Sequence, residues 1–231
     1  MKQCDISKVE PLLKLLRTPA NGRDAAWSES FYSTVVDASF RCETPQIFNG
    51  PDGFPYFSLL SPEPLKTFDS FCICNLVEPA TEKGFGIAIN RQADGVDWVF
   101  SYGDLLTLRL TGSLKSSSVL SPEPPKTITI EKEETVLLGA PSESYLPSYA
   151  RAVIRAFMQQ SLCVKEPQVF LMHRAADSRP MQLVFSVFRE QFQTDETYFN
   201  ALNHLSWFLP RHYSITGIPM SSDMRKNFAP L

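Results

Sequence analysis

Apolar residues recur at helical spacing over the first forty positions of the chain. Val9, Leu12, Leu13 and Leu16 share one face, and beyond the turn signal Asn21-Gly22 a second stripe carries Phe31, Val35 and Ala38. From Gln46 the texture changes to short apolar runs punctuated by glycine and proline, which predicts strands at 56–59, 71–77, 84–90 and 97–101. Asp94-Gly95 stands between the last two as a hairpin turn. Ser61-Pro62-Glu63-Pro64 has serine where a cap belongs and proline at the first helical position, predicting a short helix through Leu65 and Phe68.

The second half has a clearer order: helix, two strands, helix, strand. Around 145–161, Leu146, Tyr149, Val153, Ile154 and Phe157 form one stripe, with Arg151 and Arg155 away from its centre. Pro167 forces extended chain, and the apolar runs 168–173 and 181–188, joined by the polar loop 174–180, have the pattern of an antiparallel pair. A helix over 195–209 is capped by Thr194, stopped by Pro210 and predicted to bury Tyr198, Ala201, Leu202, Leu205 and Phe208; a closing strand follows at 215–218. At about 100° per residue Trp207 falls nearly opposite Tyr198, beside Glu196, Asn200 and Asn203. That placement makes Trp207 the candidate interface residue. Residues 127–138 supply one more strand or a pair around the solvated turn Glu131-Lys132-Glu133-Glu134, and 221–231, without periodicity, reads as a loose tail.

Between these halves, the stretch from Thr111 to Lys126 is polar and proline-bearing, and it separates segments that each hold enough apolar residues for a core. The predicted organisation is an N-terminal α+β domain at 1–112, a linker at 113–126 and a C-terminal α+β domain at 127–231. The fold class is α+β, two small domains with mostly antiparallel sheets packed by helices. Ser-Pro-Glu-Pro recurs at 121–124, but the flanking residues do not match and no internal repeat is read from it.

Charge narrows the partners. The chain has 231 residues, a formal net charge of −3 and no Lys/Arg run beyond Arg225-Lys226, so it lacks the basic footprint of a nucleic-acid binder. No apolar stretch approaches about 18 residues, and the polar opening MKQCDISKVE predicts a cytoplasmic protein without a membrane partner. Five cysteines, an odd number in a chain too large to need staples, predict reduced thiols. Cys72 and Cys74, two apart in the run 71–77, are expected on one side of a strand, buried, with no disulfide and no metal.

Catalytic strings are sparse. Neither G-x-S-x-G nor a P-loop occurs, and Gly84-Phe85-Gly86 begins like a dinucleotide fingerprint but has Ile89 where the third glycine belongs. Asp94 and Asp97 lack the further oxygen ligands of a calcium loop, and His173, His204 and His212 lack metal-ligand spacing. No catalytic, metal-binding or cofactor-binding residue is assigned. A couple between Cys72 or Cys74 and a histidine such as His173 remains the alternative, making the chain a thiol or hydrolase-type enzyme.

Taken in order, several blocks resemble the SseB (enhanced serine sensitivity) family of bacterial proteins. They are Val9-Glu10-Pro11-Leu12-Leu13, Phe31-Tyr32 with Val35-Val36-Asp37-Ala38 where members tend to show a Leu-Leu pair, and Phe54-Pro55-Tyr56-Phe57. In the second half they are Val136-Leu137-Leu138-Gly139-Ala140-Pro141, Pro167-Gln168-Val169 leading into Phe170-Leu171-Met172, and Leu209-Pro210 before 215–218. These are structural motifs, so no catalytic residue carries over. The expectation is a non-enzymatic cytoplasmic binding or regulatory protein acting through a protein partner, with a homo-oligomer and a secretion-system accessory or immunity-type role as further options.

Overall fold

The computed structural model describes residues 2–93, 95–114, 126–127, 135–175, 177 and 181–231. Its first helices are α1 (Val9–Leu16) and α2 (Ala25–Val35), the latter capped by Asp24, whose carboxylate accepts from the Trp27 amide. Leu12, Leu16, Trp27, Phe31 and Val35 are buried, so both predicted stripes face a core. Trp27 and Phe31, one helical turn apart, stack with centroids 4.8 Å apart.

The first sheet runs β1 (Arg41–Asn49), β2 (Pro55–Leu60), β3 (Gly86–Ile89), β4 (Trp98–Phe100), in that spatial order. Its outer pairings are antiparallel and β2–β3 is parallel. A parallel pair needs a crossover, and α3 (Ile73–Lys83) supplies it. The predicted strand at 71–77 is therefore corrected to the start of a helix, with only Phe71 keeping a bridge, to Phe40. Ile73, Leu76, Val77 and Ala80 recur at helical spacing, and Gly84, at φ 81°, ends α3 in the left-handed conformation that glycine adopts without strain.

A further helix, α4 (Tyr102–Thr111), has no counterpart in the sequence reading. Residues 102–108 are all buried, so no polar face alternates with an apolar one and the periodicity signal vanishes. Its Ser101/Asp104 capping box was the available signal. The helix expected after Ser61 is absent; the chain makes a turn with Leu65 fully exposed at φ 62°. Glu63 precedes Pro64, which disfavours the helical backbone at that residue.

In the second unit β5 (Lys126–Thr127), β6 (Leu137–Gly139), β7 (Gln168–His173), β8 (Met181–Phe185), β9 (Ser214–Gly217) and β10 (Ala229–Pro230) form a six-stranded sheet. The order is β10-β7-β8-β9-β5, with β6 also on β7; the β8–β9 and β9–β5 pairings are parallel and the others antiparallel. Helix α5 (Ser148–Ser161) buries Ala150, Ile154 and Met158, and α6 (Asp195–Ser206) buries Tyr198, Ala201, Leu202 and Leu205. The chain is thus α+β with two mixed sheets flanked by helices, antiparallel pairings outnumbering parallel ones in each. It divides into two compact units, Met1–Val119 and Leu120–Leu231. The linker expected at 113–126 lies almost wholly outside the described residues, as do Asp94 and the turn Glu131–Glu134.

The expected loose tail is a further correction. Phe228 packs edge-on against Phe170 and Phe188 at 4.8 and 6.0 Å, β10 pairs with β7, and Leu231 is buried with its amide donating to the Pro167 carbonyl. The contacts of one aromatic ring, a two-residue strand and buried Leu231 hold this segment, and none of them leaves a periodic trace in a sequence.

Candidate functional site

Strands β2 and β3 run parallel and stop together, with Leu59 opposite Ile89, and the carboxyl end of a parallel pair is where diverging loops leave a crevice. Here the crevice has a volume of about 430 Å³. Its lining brings three arginines together: Arg17 from the end of α1, Arg41 from the start of β1 and Arg91 after β3, over apolar side chains that include Leu13 and Leu16.

Asn90 holds the crevice in shape. It takes φ 52°, a conformation asparagine tolerates better than most residues. Its Oδ1 accepts from the Ser61 amide at 2.7 Å, while Nδ2 donates to Ser61 Oγ at 2.9 Å and Asp97 Oδ2 at 2.8 Å. One side chain thus ties together the segments that follow β2 and β3 and precede β4. Arg41 is already engaged, donating to the Ser61 carbonyl and pairing with Glu63 at 3.3 Å. Arg91 lies over the Phe48 ring at 4.4 Å, and neither it nor exposed Arg17 has a carboxylate partner among the described residues. The lining also holds one carboxylate, Asp97, which accepts from Asn90; with Arg41 paired to Glu63, Arg17 and Arg91 outnumber it and leave the crevice with a local excess of positive charge that an anion would neutralise. Sequence reading missed these residues because the three arginines are separated in the chain and meet only in the fold.

The cysteines depart from expectation. Cys72 is the residue preceding α3, fully buried, and it is disulfide-bonded to Cys4. Reduced thiols throughout, and a Cys72/Cys74 pair free of any disulfide, are both corrected. The cause is the change of element: at a helix start Cys72 meets the N-terminal segment, which Asp5 docks through a parallel bridge to Ala38. Cys74, half-buried, has its Sγ 3.3 Å from Cys72 Sγ. Asn75 Nδ2 reaches Cys72 Sγ at 3.2 Å and Cys4 Sγ at 3.7 Å, and Asn75 also exchanges hydrogen bonds with the Lys2 backbone. Among the described residues no group of three or more His, Cys, Asp or Glu side chains is arranged to hold a metal ion.

Cys72 and Cys74 belong to the first unit and all three histidines to the second. His173 ends β7, His204 meets Phe157 edge-on, and His212 meets Tyr213 edge-on. Helix α6 ends at Ser206, short of the expected 209; Trp207 is its C-cap and keeps helical dihedrals (φ −60°, ψ −28°), and Phe208 after it is buried as expected. The Trp207 ring is half-buried and edge-on to Phe208 at 4.9 Å.

Tyr145 and Tyr213 stack at 4.1 Å, with Tyr213 Oη donating to the Tyr145 carbonyl at 2.7 Å. Burial, then the nearby Tyr149, pushes the Tyr213 hydroxyl from 10.0 to about 12, and burial pushes Tyr145 up as well. A folded-state pKa above the unfolded one stabilises the fold fully below pH 10 and loses that contribution as pH rises toward about 12. Urea midpoints followed by Trp207 fluorescence should fall over that window, and less steeply in Tyr213→Phe. A slope identical in the two proteins would remove Tyr213 as a cause.

No helix among the described residues is long and apolar enough to cross a membrane. No protein-family model, curated protein or solved structure matches the chain.

Proposed function

We propose that this chain is a non-enzymatic binding or regulatory protein of the bacterial cytoplasm that acts through another protein, and that its first unit reads an acidic segment of that partner. The carrying observation is the crevice at the carboxyl ends of β2 and β3, where Arg17 and Arg91 have no carboxylate partner among the described residues and share the lining with Leu13, Leu16 and Leu60. Guanidinium groups match carboxylates in planar, two-pronged geometry, and leucines beneath them suit the apolar neighbour of an acidic side chain. Arg17 is exposed and Arg91 half-buried, so a bound anion stays in contact with water, as at the rim of a protein interface. An enclosed small-molecule site would bury most of its ligand. The resemblance to the SseB family supports the same setting. Burial and the Asp37 carboxylate raise the pKa of Cys74, so its thiolate is scarce near neutral pH; that weighs against a thiol enzyme turning over substrate, while exchange with a neighbouring disulfide, which needs no turnover, stays open to it.

Fluorescence anisotropy with a labelled peptide of alternating Glu and Leu tests the reading. Arg17→Glu and Arg91→Glu should each weaken binding by about tenfold or more, roughly 1.4 kcal/mol, and added salt should weaken the wild type. Equal affinity for the Gln-for-Glu peptide, or unchanged affinity in both variants, would contradict it.

A further inference from the structure

Three sulfurs converge at the start of α3, apart from the arginine crevice and from a different set of residues. Cys72 is bonded to Cys4 on one side and has the Cys74 sulfur at 3.3 Å on the other, while Asn75 Nδ2 lies within hydrogen-bonding reach of both disulfide sulfurs. The central sulfur is fully buried and its two neighbours are half-buried, so reagents in solution reach the outer sulfurs and not the shared one.

We propose that Cys4, Cys72 and Cys74 form a thiol–disulfide exchange centre in which Cys72 is the shared sulfur and Cys4 and Cys74 alternate as its partner. Cys74 gives its proton to solvent and its thiolate attacks Cys72 Sγ. The Cys72–Cys74 bond forms as the Cys4–Cys72 bond breaks, and Cys4 departs with the electron pair as a thiolate that takes up a proton from water. One disulfide and one thiol stand on each side of the step, so no external oxidant or reductant is consumed. Residues two apart at a helix start lie closer than residues two apart on a strand, which brings a Cys72–Cys74 bond within reach.

The consequence is local. Exchange frees Cys4 from α3 while Asn75 keeps its two hydrogen bonds to the Lys2 backbone, so the N-terminal segment is unclipped without being released. It converts the half-buried Cys4 from a disulfide sulfur into a free thiol, able to form a mixed disulfide with a low-molecular-weight disulfide. In a reducing compartment a disulfide is ordinarily transient or redox-responsive, and a resident thiol beside it provides the route.

The surroundings set when the step runs. Burial and the Asp37 carboxylate, to which the Cys74 thiol donates, hold the proton on Cys74, and the Lys2 charge opposes them. Lys8 pairs with Asp37 at 3.4 Å and moderates its charge. The thiolate population, and with it the exchange, therefore grows with pH.

Alkylation by iodoacetamide of the full chain purified without reductant, followed by peptide mass mapping, reads the state of each cysteine. In the wild type the modified Cys4 fraction should rise by about tenfold per pH unit between roughly pH 7 and pH 9, tracking the Cys74 thiolate. Cys74→Ser should abolish Cys4 modification across that range, and Cys4→Ser incubated with oxidised glutathione, which takes up the two electrons, should yield a Cys72–Cys74 disulfide with only Cys42 and Cys163 left to modify. Cys4 modified equally in Cys74→Ser, or Cys72 and Cys74 both alkylated in folded Cys4→Ser after that oxidation, would overturn the proposal. Should Cys74→Ser fail to fold, Cys4→Ser decides alone.

Discussion

Gly86→Ala should destabilise the first unit by about 3 kcal/mol, the upper part of the range for overpacking a filled core. Gly86 is paired with Tyr56 in the parallel β2–β3 register, and the Tyr56 ring folds over the space a side chain would need. A Cβ there meets Tyr56 ring carbons at 2.6 and 2.7 Å and the Phe100 carbonyl oxygen at 2.7 Å. The ring is almost fully buried and its hydroxyl donates to Asp52 Oδ2 at 2.5 Å, while the carbonyl belongs to the neighbouring strand; neither is a flexible chain end that can swing away. Relief therefore requires β3 and β4 to separate. Gly95→Ala, where a Cβ has no heavy atom within 4 Å, should stay within about 0.5 kcal/mol of wild type. Urea midpoints followed by Trp27 and Trp98 fluorescence separate the two, and equal midpoints would refute the packing argument.

Phe31→Ala should cost about 3–5 kcal/mol, a large share of the 5–15 kcal/mol that holds a typical domain together. Phe31 is fully buried at the centre of an aromatic cluster, with centroids 4.8 Å from Trp27, 4.5 Å from Trp98 and 6.2 Å from Phe100. It therefore joins α2 to β4, and truncation leaves a cavity walled by rigid rings that cannot collapse into it. Phe31→Leu, which refills most of the volume, should recover about half of the loss or more. A wild-type midpoint for Phe31→Ala would mean that the cluster does not bear on the stability of this unit.

Elements with a one-sided apolar stripe were legible in the sequence: α1, α2, α5 and α6 all appear where Leu12, Phe31, Ile154 and Leu202 repeat at helical spacing. Strands β2, β3, β4, β7 and β8 were legible as short apolar runs between turn signals. Three kinds of information were lost. Helix α4 is buried on nearly every side, so Leu105, Leu106 and Leu108 gave no phase. The run around Cys72 satisfies both strand and helix patterns over so few residues, and the crossover demanded by the parallel β2–β3 pairing decides for the helix. The tail is ordered by Phe228 and by pairing with β7, a long-range contact that local pattern does not carry.

The candidate site was less legible than the fold, and for the same reason. Arg17, Arg41 and Arg91 converge only once β2 and β3 are parallel, and Asn90 gains its role from bonds to Ser61 and Asp97 across the chain. Cys4 and Cys72 are 68 residues apart. Proximity of Cys72 and Cys74 in sequence drew attention to two of the right sulfurs, but placed them on a strand as free thiols, whereas Cys72 precedes a helix and is bonded to Cys4.

The most direct test of an acidic-segment reader is an amide NMR titration of the full chain with the alternating Glu and Leu peptide. The expected result is a set of saturable shifts at Arg17, Ser61 and 90–92, absent in Arg17→Glu/Arg91→Glu and absent with the Gln-for-Glu peptide. Saturable binding whose shifts avoid those residues, or no shifts at all at low salt, would contradict the assignment of the crevice.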